Sequence, residues 1–397
     1  MRFNFLGLAV LAASICALCS CSDSNSAAVS SGTGILYVAA QANSSISSYS
    51  VNLSNGTLTQ VGNSIATGTT PFAMAVTPGI DALFISDRGA NNVSSYAINS
   101  DGSLTAGSGT TATGKTPMGM AVDPAGKFLL VANQGTFQDP KSGTISVYSI
   151  SGSSLKQVAG SPFPTESQGD LTGSGPVAVV VSASGKYVYA ANQFSNTVAA
   201  FSLNSSSGAL TPLGASPYNV DLSPSAIAIA PNGGALLVAN SGSNDISAFL
   251  VCDTLVVSCA DVNSPDGSLT AASGSPFPAG GGPASIAFDP SFAFVYVADK
   301  ASNQISQYSY GANTGVLSPL SPPTISTGAT PVSVTVGSGT TGTNVGNTTT
   351  NPTDYVYVAN NGASTVSIFN LNTTTGLLDV VGTPVDTFGN PSAVVVK

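Results

Sequence analysis

The sequence repeats one plan of four short apolar runs seven times. The second run of each copy ends in a recurring phrase. These phrases are LYVAA at 36–40, LFISD at 83–87, LLVAN at 129–133, VYAAN at 188–192, LLVAN at 236–240, VYVAD at 295–299 and VYVAN at 356–360. Gly, Pro, Asn and Asp separate the runs, and no run is long enough for an amphipathic helix. The repeat therefore predicts an all-β chain.

The position of the repeat within the chain predicts a closed ring. A four-stranded sheet that recurs every 40 to 60 residues or so buries its faces by stacking around an axis. The repeats begin with a second run at Ile35 and end with a first run at 392–397, so one sheet takes strands from both chain ends. We therefore expect a seven-bladed β-propeller of four-stranded antiparallel blades. Pairing of the C-terminal strand (392–397) with the N-terminal blade closes its ring.

The N-terminal segment predicts export and lipid anchoring. Residues 1–20 have a positive start followed by an apolar stretch that is short for a transmembrane helix, which is typical of a signal peptide. The sequence LCSC ending at Cys21 resembles a bacterial lipobox, which implies cleavage before Cys21 and lipidation of its thiol. An ordinary signal peptide is the alternative. Residues 21–34 then form a tether and 35–397 the propeller, which we expect to be a monomer held in the cell envelope, on the outer membrane or its periplasmic face.

Composition limits the possible partners and chemistry. Lys and Arg number 9 against 18 Asp and Glu, so clustered cations for binding nucleic acid or anionic lipid are missing. Charged residues make up 7% of the chain, against about 25% in an average soluble domain. Because there is no His, the usual general base near neutral pH is absent. No cofactor or metal site is predicted.

Much of the scarce charge is expected on one face of the propeller. Loops after the second and fourth strands of each blade share a face, and they carry most of the candidate site residues. The candidate catalytic residues are Glu166, Asp170, Asp139, Arg88 and Lys115; the candidate binding residues are Phe137, Lys141, Phe163, Asp87, Asp299 and Lys300. A carboxylate there could activate water and a cation could stabilise an oxyanion. The competing interpretation is that these are solvated loop charges, with Asp87–Arg88 and Asp299–Lys300 as weak ion pairs at the rim.

Three connections on this face begin with Ser-Pro and an aromatic residue, at Phe163, Tyr218 and Phe277. The rings could stack on a sugar, or they could pack under their own loops, which we favour.

On the opposite face, Cys252 and Cys259 are the cysteines left once Cys16, Cys19 and Cys21 are assigned to the signal and lipid. They are expected to form a disulfide, with a shared metal as the alternative.

The recurring VAN and VAD phrases resemble the YVTN-type repeat. They are followed by ISxY-like runs, by Gly-x-Leu at 208–210 and 315–317, and by proline-led apolar strands. More broadly, residues 35–397 look like the seven-bladed lactonase family, which includes 6-phosphogluconolactonase. The resemblance implies hydrolysis of a sugar lactone. Family members rely on His, Glu and Arg, however, and this chain offers no His for such a role.

Two functions follow from these observations. The missing residue types favour a non-catalytic propeller lipoprotein that binds a protein or a carbohydrate partner. The family resemblance favours the alternative, a lactonase-type hydrolase.

Overall fold

Each predicted repeat forms one antiparallel sheet, and in six of the seven sheets the strands follow each other in sequence from the axis outward. A computed structural model describes residues 33–136, 139, 142–165, 174–255, 259, 264–337, 354–387 and 389–396. Within these ranges no helix is long and apolar enough to cross a membrane. The predicted signal peptide, the lipidation site at Cys21 and the tether up to residue 32 lie outside the described residues.

Strands are numbered in chain order. Blade 1 begins with β1 (Thr33–Ala40), β2 (Ser45–Asn52) and β3 (Leu58–Ala66). Blade 2 contains β4 (Pro71–Val76), β5 (Ala82–Asp87), β6 (Asn92–Ile98) and β7 (Leu104–Ala112). Blade 3 contains β8 (Pro117–Val122), β9 (Phe128–Asn133), β10 (Thr144–Ser151), β11 (Ser154–Gln157) and the short β12 (Phe163–Pro164). Blade 4 contains β13 (Pro176–Val181), β14 (Tyr187–Asn192), β15 (Thr197–Leu203), β16 (Leu210–Pro212) and the short β17 (Tyr218–Asn219).

The remaining blades follow the same plan. Blade 5 contains β18 (Pro224–Ile229), β19 (Ala235–Asn240), β20 (Asp245–Val251), β21 (Leu269–Ala271) and the short β22 (Phe277–Pro278). Blade 6 contains β23 (Pro283–Phe288), β24 (Phe294–Asp299), β25 (Gln304–Tyr310) and β26 (Leu317–Ser326). Blade 7 contains β27 (Pro331–Gly337), β28 (Asp354–Asn360), β29 (Thr365–Leu371), β30 (Leu378–Val380) and the short β31 (Val385–Asp386). The last strand, β32 (Pro391–Val396), completes blade 1.

The predicted ring closure is confirmed. Strand β32 pairs antiparallel with β1, with Leu36 opposite Val396 and Val38 opposite Val394. Each innermost strand also contacts the innermost strands of both neighbouring blades, so these contacts run round the ring without a break. Every innermost strand begins with a proline, which suits a strand end because proline has no N–H to donate.

The hydrophobic core is divided among the seven interfaces between adjacent blades. One cluster of buried side chains fills each interface, including the interface between blades 7 and 1 that the closing strand completes. Second strands are sandwiched between two such clusters, and all six residues of β5 and of β19 are buried. This burial on both faces explains why phrases such as LLVAN are continuously apolar instead of alternating.

In six of the seven blades, the glycine of a Gly-x-Leu motif packs closely against the blade before it. Gly208 has a φ of +74°, and a Cβ there would lie 2.7 Å from the ring of Phe128 in blade 3. We expect Gly208→Ala to lower the free energy of unfolding by about 2–3 kcal/mol, because a left-handed φ and a steric clash act together. The matched control is Gly62→Ala, since Gly62 has a φ of +64° but no atom within 4 Å of the Cβ position. Equal losses in chemical denaturation would show that backbone strain alone is responsible.

The predicted disulfide between Cys252 and Cys259 is present, with the two Cα atoms 4.4 Å apart. It follows β20 on the face opposite the loops that carry the candidate site residues. Nearby, Ser184 of blade 4 donates a hydrogen bond to Asp253 of blade 5. Lys186 pairs with Asp266 at 3.9 Å, and this is the only ion pair within the described ranges. These contacts join blades 4 and 5 on that face.

Candidate functional site

A cavity of about 1160 Å³ runs along the propeller axis between the innermost strands of all seven blades. Closing seven sheets around an axis leaves such a space because the seven inner strands stand around the axis and none of them crosses it. The residues that line it belong to the inner strands, to the turns that leave the second strands and, at Gly282 and Thr330, to the position directly before an inner strand. The cavity is therefore built from the most repetitive part of the sequence, and its chemistry depends on where the repeats differ.

One residue from each blade forms a ring around the mouth of the cavity, and we call this ring the rim. Its members occupy one position in the repeat, directly after the last residue of the second strand. In blade order they are Gln41, Arg88, Gln134, Gln193, Ser241, Lys300 and Asn361. Five are neutral and polar, and two are cations.

The two cations lie on non-adjacent blades of the rim. Arg88 belongs to blade 2 and Lys300 to blade 6, so three blades separate them in one direction and two in the other. Between them, Gln134 donates a hydrogen bond of 2.8 Å to Gln193, which ties the rims of blades 3 and 4 together. Among the described residues that line the cavity there is no carboxylate, so its positive charge is not compensated within the lining.

Just below the rim, the cavity wall differs from side to side. The residues at this level follow the proline that begins each inner strand. Blades 2, 3 and 4 contribute Phe72, Met118 and Val177, blade 7 contributes Val332, and blades 5, 6 and 1 contribute Ser225, Ala284 and Ser392. The Arg88 guanidinium lies over the Phe72 ring, 5.6 Å from its centroid, which is a cation–π distance. The aromatic ring thus supports one of the two rim cations.

The residue before each rim position holds the blade together. In blade 3 the Nδ2 of Asn133 donates hydrogen bonds to Ser146 at 2.9 Å and to Thr144 at 3.1 Å. Asn240 and Asn360 make the equivalent bond to the serine of their own third strands, Ser247 and Ser367. These asparagines are buried, with 0% of their side chains exposed, so they bind second and third strands together and do not face the cavity.

Asp87 and Asp299 occupy this buried position in blades 2 and 6. The hydroxyl of Ser94 donates to Asp87 Oδ2 at 2.6 Å, and that of Ser306 donates to Asp299 Oδ2 at 2.7 Å. Burial raises the pKa of each carboxyl to about 6, although hydrogen bonds from the serines and from Gly68 or Gly280 lower it. The Oδ1 atom of each has no hydrogen-bond partner among the described residues. Both carboxyls are therefore held in an environment that disfavours their charged form.

The prediction that Asp87 and Asp299 belong to the binding mouth is wrong, because both are 0% exposed and point into their own blades. The expected ion pairs Asp87–Arg88 and Asp299–Lys300 are absent from the described residues as well. Successive side chains of a strand point to opposite sides. The carboxyl of each pair therefore points into its own blade, and the cation that follows it points to the cavity. Arg88 and Lys300, by contrast, do line the mouth.

The other predicted site residues that the structure describes do not line the cavity. Lys115 and Asp139 are exposed on the same face but outside the lining. Phe163 is half-buried and packs on the cluster between blades 3 and 4. Phe137, Lys141, Glu166 and Asp170 lie outside the described residues, so their roles stay predictions.

The aromatic residues of the Ser-Pro connections pack inside the molecule. Tyr218 packs on the cluster between blades 4 and 5, and Phe277, which is 9% exposed, belongs to the cluster between blades 5 and 6. Their short strands pair with third strands, on the outer side of the blades. The structure thus confirms the packing interpretation, and a sugar-stacking platform at these positions is wrong.

Five rim residues were missed by sequence reasoning: Gln41, Gln134, Gln193, Ser241 and Asn361. They are neutral and differ from each other, so no motif marks them. A signal was nevertheless present, because each directly follows a recurring phrase such as VAN. Aligning the seven copies at that phrase would have identified the ring.

This arrangement can bind an anion. Arg88 and Lys300 can donate charge-assisted hydrogen bonds, and the neutral amides and hydroxyls around them can contact a polyol. In a lactone reaction the same cations could stabilise the oxyanion that forms at the carbonyl. A base that activates water is not among the described lining residues, since Arg88 and Lys300 are the ionisable groups there.

Comparisons with known proteins agree with this architecture. The family described as "Lactonase, 7-bladed beta-propeller" matches residues 73–156, 140–255, 223–337 and 253–384. No curated protein matches the chain in sequence.

Among solved structures, a "putative 6-phosphogluconolactonase" from Bacteroides fragilis has a TM-score of 0.72 at 17% identity, covering 94% of this chain and 100% of its own. The periplasmic gluconolactonase of Pseudomonas aeruginosa has a TM-score of 0.71 at 16% identity, covering 92% of this chain and 99% of its own. At these identities the structural similarity establishes the fold alone. The family match covers well over half of the sequence and favours the lactonase hypothesis over non-catalytic binding. The chain belongs to the lactonase family of seven-bladed β-propellers.

Proposed function

We propose that the protein hydrolyses a small anionic lactone in the axial cavity, with Arg88 and Lys300 holding its negative group and the developing oxyanion. The observation that carries this proposal is the rim, where two cations face a cavity whose described lining has no carboxylate. Family membership supports lactone chemistry. Glu166 and Asp170 remain the candidate bases for water activation, and export with lipidation at Cys21 remains part of the proposal.

Binding without turnover is the second candidate. It is favoured by the lack of His in the sequence and of any carboxylate among the described lining residues. Two measurements separate the candidates: hydrolysis of glucono-δ-lactone and its 6-phosphate, followed by proton release, and calorimetric binding of 6-phosphogluconate. Binding with no hydrolysis above the spontaneous rate would favour the second candidate. Hydrolysis that Glu166→Gln or Asp170→Asn abolishes would favour the first.

Arg88→Gln and Lys300→Gln are expected to lower kcat/KM for the phosphorylated lactone by roughly 10- to 100-fold each, since a hydrogen bond to a charged group contributes about 1.5–3 kcal/mol. Glutamine already stands at the rim in blades 1, 3 and 4, so the fold should tolerate it. Lys115→Gln is the matched control, because Lys115 is an exposed cation on the same face outside the lining. If Lys115→Gln lowers kcat/KM equally, the loss reflects the overall electrostatic field of the protein and not contacts at the rim.

A further inference from the structure

The internal methionines of this chain are concentrated in one sector of the cavity wall. The chain has four methionines, and those after Met1 are Met74, Met118 and Met120. All three line the axial cavity, and they come from β4 and β8, the inner strands of two adjacent blades. Phe72 of β4 also lines the cavity and packs on the same cluster as Met118. We call these four residues the methionine wall.

The repeat does not require these side chains. Directly after the proline that begins the inner strand, blades 5, 6 and 1 have Ser225, Ala284 and Ser392 where the wall has its phenylalanine and a methionine. Two positions further along, the other five blades have valine or isoleucine where the wall has methionine. Three of the four wall residues stay partly exposed. The wall therefore presents long, flexible apolar side chains to the cavity at positions where the fold accepts smaller or branched ones. Methionine suits ligand contact because its unbranched thioether adapts to different shapes and packs well on aromatic rings.

Most of the neutral polar groups at the mouth, by contrast, already have partners within the protein. Gln134 and Gln193 bond to each other. Ser241 and Asn361 donate to backbone carbonyls, at 2.8 and 3.1 Å. Below the rim, the hydroxyl of Ser225 donates to a carbonyl of the next blade at 2.6 Å. The hydroxyl groups of a polyol would compete with these bonds, whereas an apolar group meets no such competition at the methionine wall.

Charge and apolar surface meet at one point of the cavity. The Arg88 guanidinium lies 5.6 Å from the centroid of the Phe72 ring, so a rim cation stands directly beside the methionine wall. An anionic group held by Arg88 therefore places the rest of its molecule next to apolar side chains.

We propose that the substrate is an amphipathic anion, a lactone whose aromatic or alkyl group packs on the methionine wall while its carboxylate or phosphate pairs with Arg88. This inference rests on the proposed function and narrows its substrate class. It selects lactones with an apolar group over polyhydroxylated sugar lactones.

Phenyl phosphate and glucose 6-phosphate form a matched pair of probes, since each joins a six-membered ring to one phosphate ester. We expect the full-length protein to bind phenyl phosphate roughly tenfold more tightly, in calorimetry at low ionic strength, because apolar ring surface is removed from water at the wall. Phe72→Ser introduces the residue that blades 5 and 1 have at this level. It should remove most of this preference. Val332→Ser is the control, because Val332 lines the cavity at the same level in blade 7, outside the wall.

Methionine oxidation tests the same assignment without any substitution. Because all three internal methionines line the cavity, the sulfoxide that hydrogen peroxide forms on them, measured by mass spectrometry, reports on this wall. Saturating phenyl phosphate should slow oxidation of Met74 and Met120 by roughly threefold or more, since access to the sulfur controls its reaction with peroxide. Glucose 6-phosphate at equal occupancy should protect them less.

The outcomes separate this inference from the proposed function. Glucose 6-phosphate that binds as tightly as phenyl phosphate would overturn the inference and leave the anion site standing. Phenyl phosphate that binds but protects no methionine would also overturn it, because the apolar ring would then lie away from the wall. If neither phosphate binds, the anion site and the inference fall together.

Discussion

Removal of residues 391–397 is expected to abolish the native fold, not merely to lower its stability. Strand β32 is the innermost strand of blade 1, and it contacts the inner strands of blades 2 and 7. Without it, β1 keeps β2 but loses the partner on its other side, and the backbone at buried residues such as Val38 is left unpaired on that edge. An open ring also presents unpaired backbone groups that can join another chain. We expect a truncated protein that aggregates or lacks a cooperative thermal transition.

The control for this truncation is removal of Lys397 alone, which leaves the paired residues intact. Supplying a peptide of residues 389–397 to the truncated chain should restore a cooperative transition if closure by β32 is the cause. A truncated protein that melts at the temperature of the full chain would contradict the closed ring as the source of stability.

Asp87→Asn and Asp299→Asn are expected to stabilise the protein at neutral pH. Each carboxyl has a pKa of about 6 in the folded state, against an ordinary value of 3.8. Between these values the native state binds protons that the unfolded chain has released, so stability falls as pH rises from about 4 to 6. Above pH 6 the cost is roughly 3 kcal/mol for each residue, at 1.36 kcal/mol per pKa unit. Asparagine avoids this cost.

The pH dependence identifies the mechanism. The gain from each variant in the free energy of unfolding should be about 3 kcal/mol at pH 7.5 and about 1 kcal/mol at pH 4.5, because the wild-type carboxyl is then largely protonated. Urea denaturation at the two pH values measures this difference. The reciprocal variant Asn133→Asp should lose stability at pH 7.5 and recover part of it at pH 4.5. A gain that is the same at both pH values would indicate improved hydrogen bonding and not relief of buried charge.

The fold could be predicted from the sequence because its determinants are local and repeated. Strand length, turn residues and the offset between the first and last copies are all visible in the printed chain. Together they predict seven blades and their closure, and both are confirmed. The disulfide could also be predicted, because Cys252 and Cys259 were the two cysteines without another assigned role.

The site could be predicted only in part, because the rim joins residues that are distant in sequence. Arg88 and Lys300 were identified from their charge, but their neutral partners carry no such mark. Asp87 and Asp299 were misplaced for a physical reason. In the sequence, an Asp next to a cation at a strand end resembles an exposed ion pair. The carboxyl is buried because a serine of the third strand donates a hydrogen bond to it inside the blade.

The neighbouring positions at the end of each second strand divide structural and recognition roles between them. The buried residue secures the sheet, while the rim residue beside it adds little to the core. Selection can therefore change the rim one blade at a time with small cost to folding. Because the seven rim positions can be substituted independently, propellers of this architecture could acquire new ligand preferences while their blades stay unchanged.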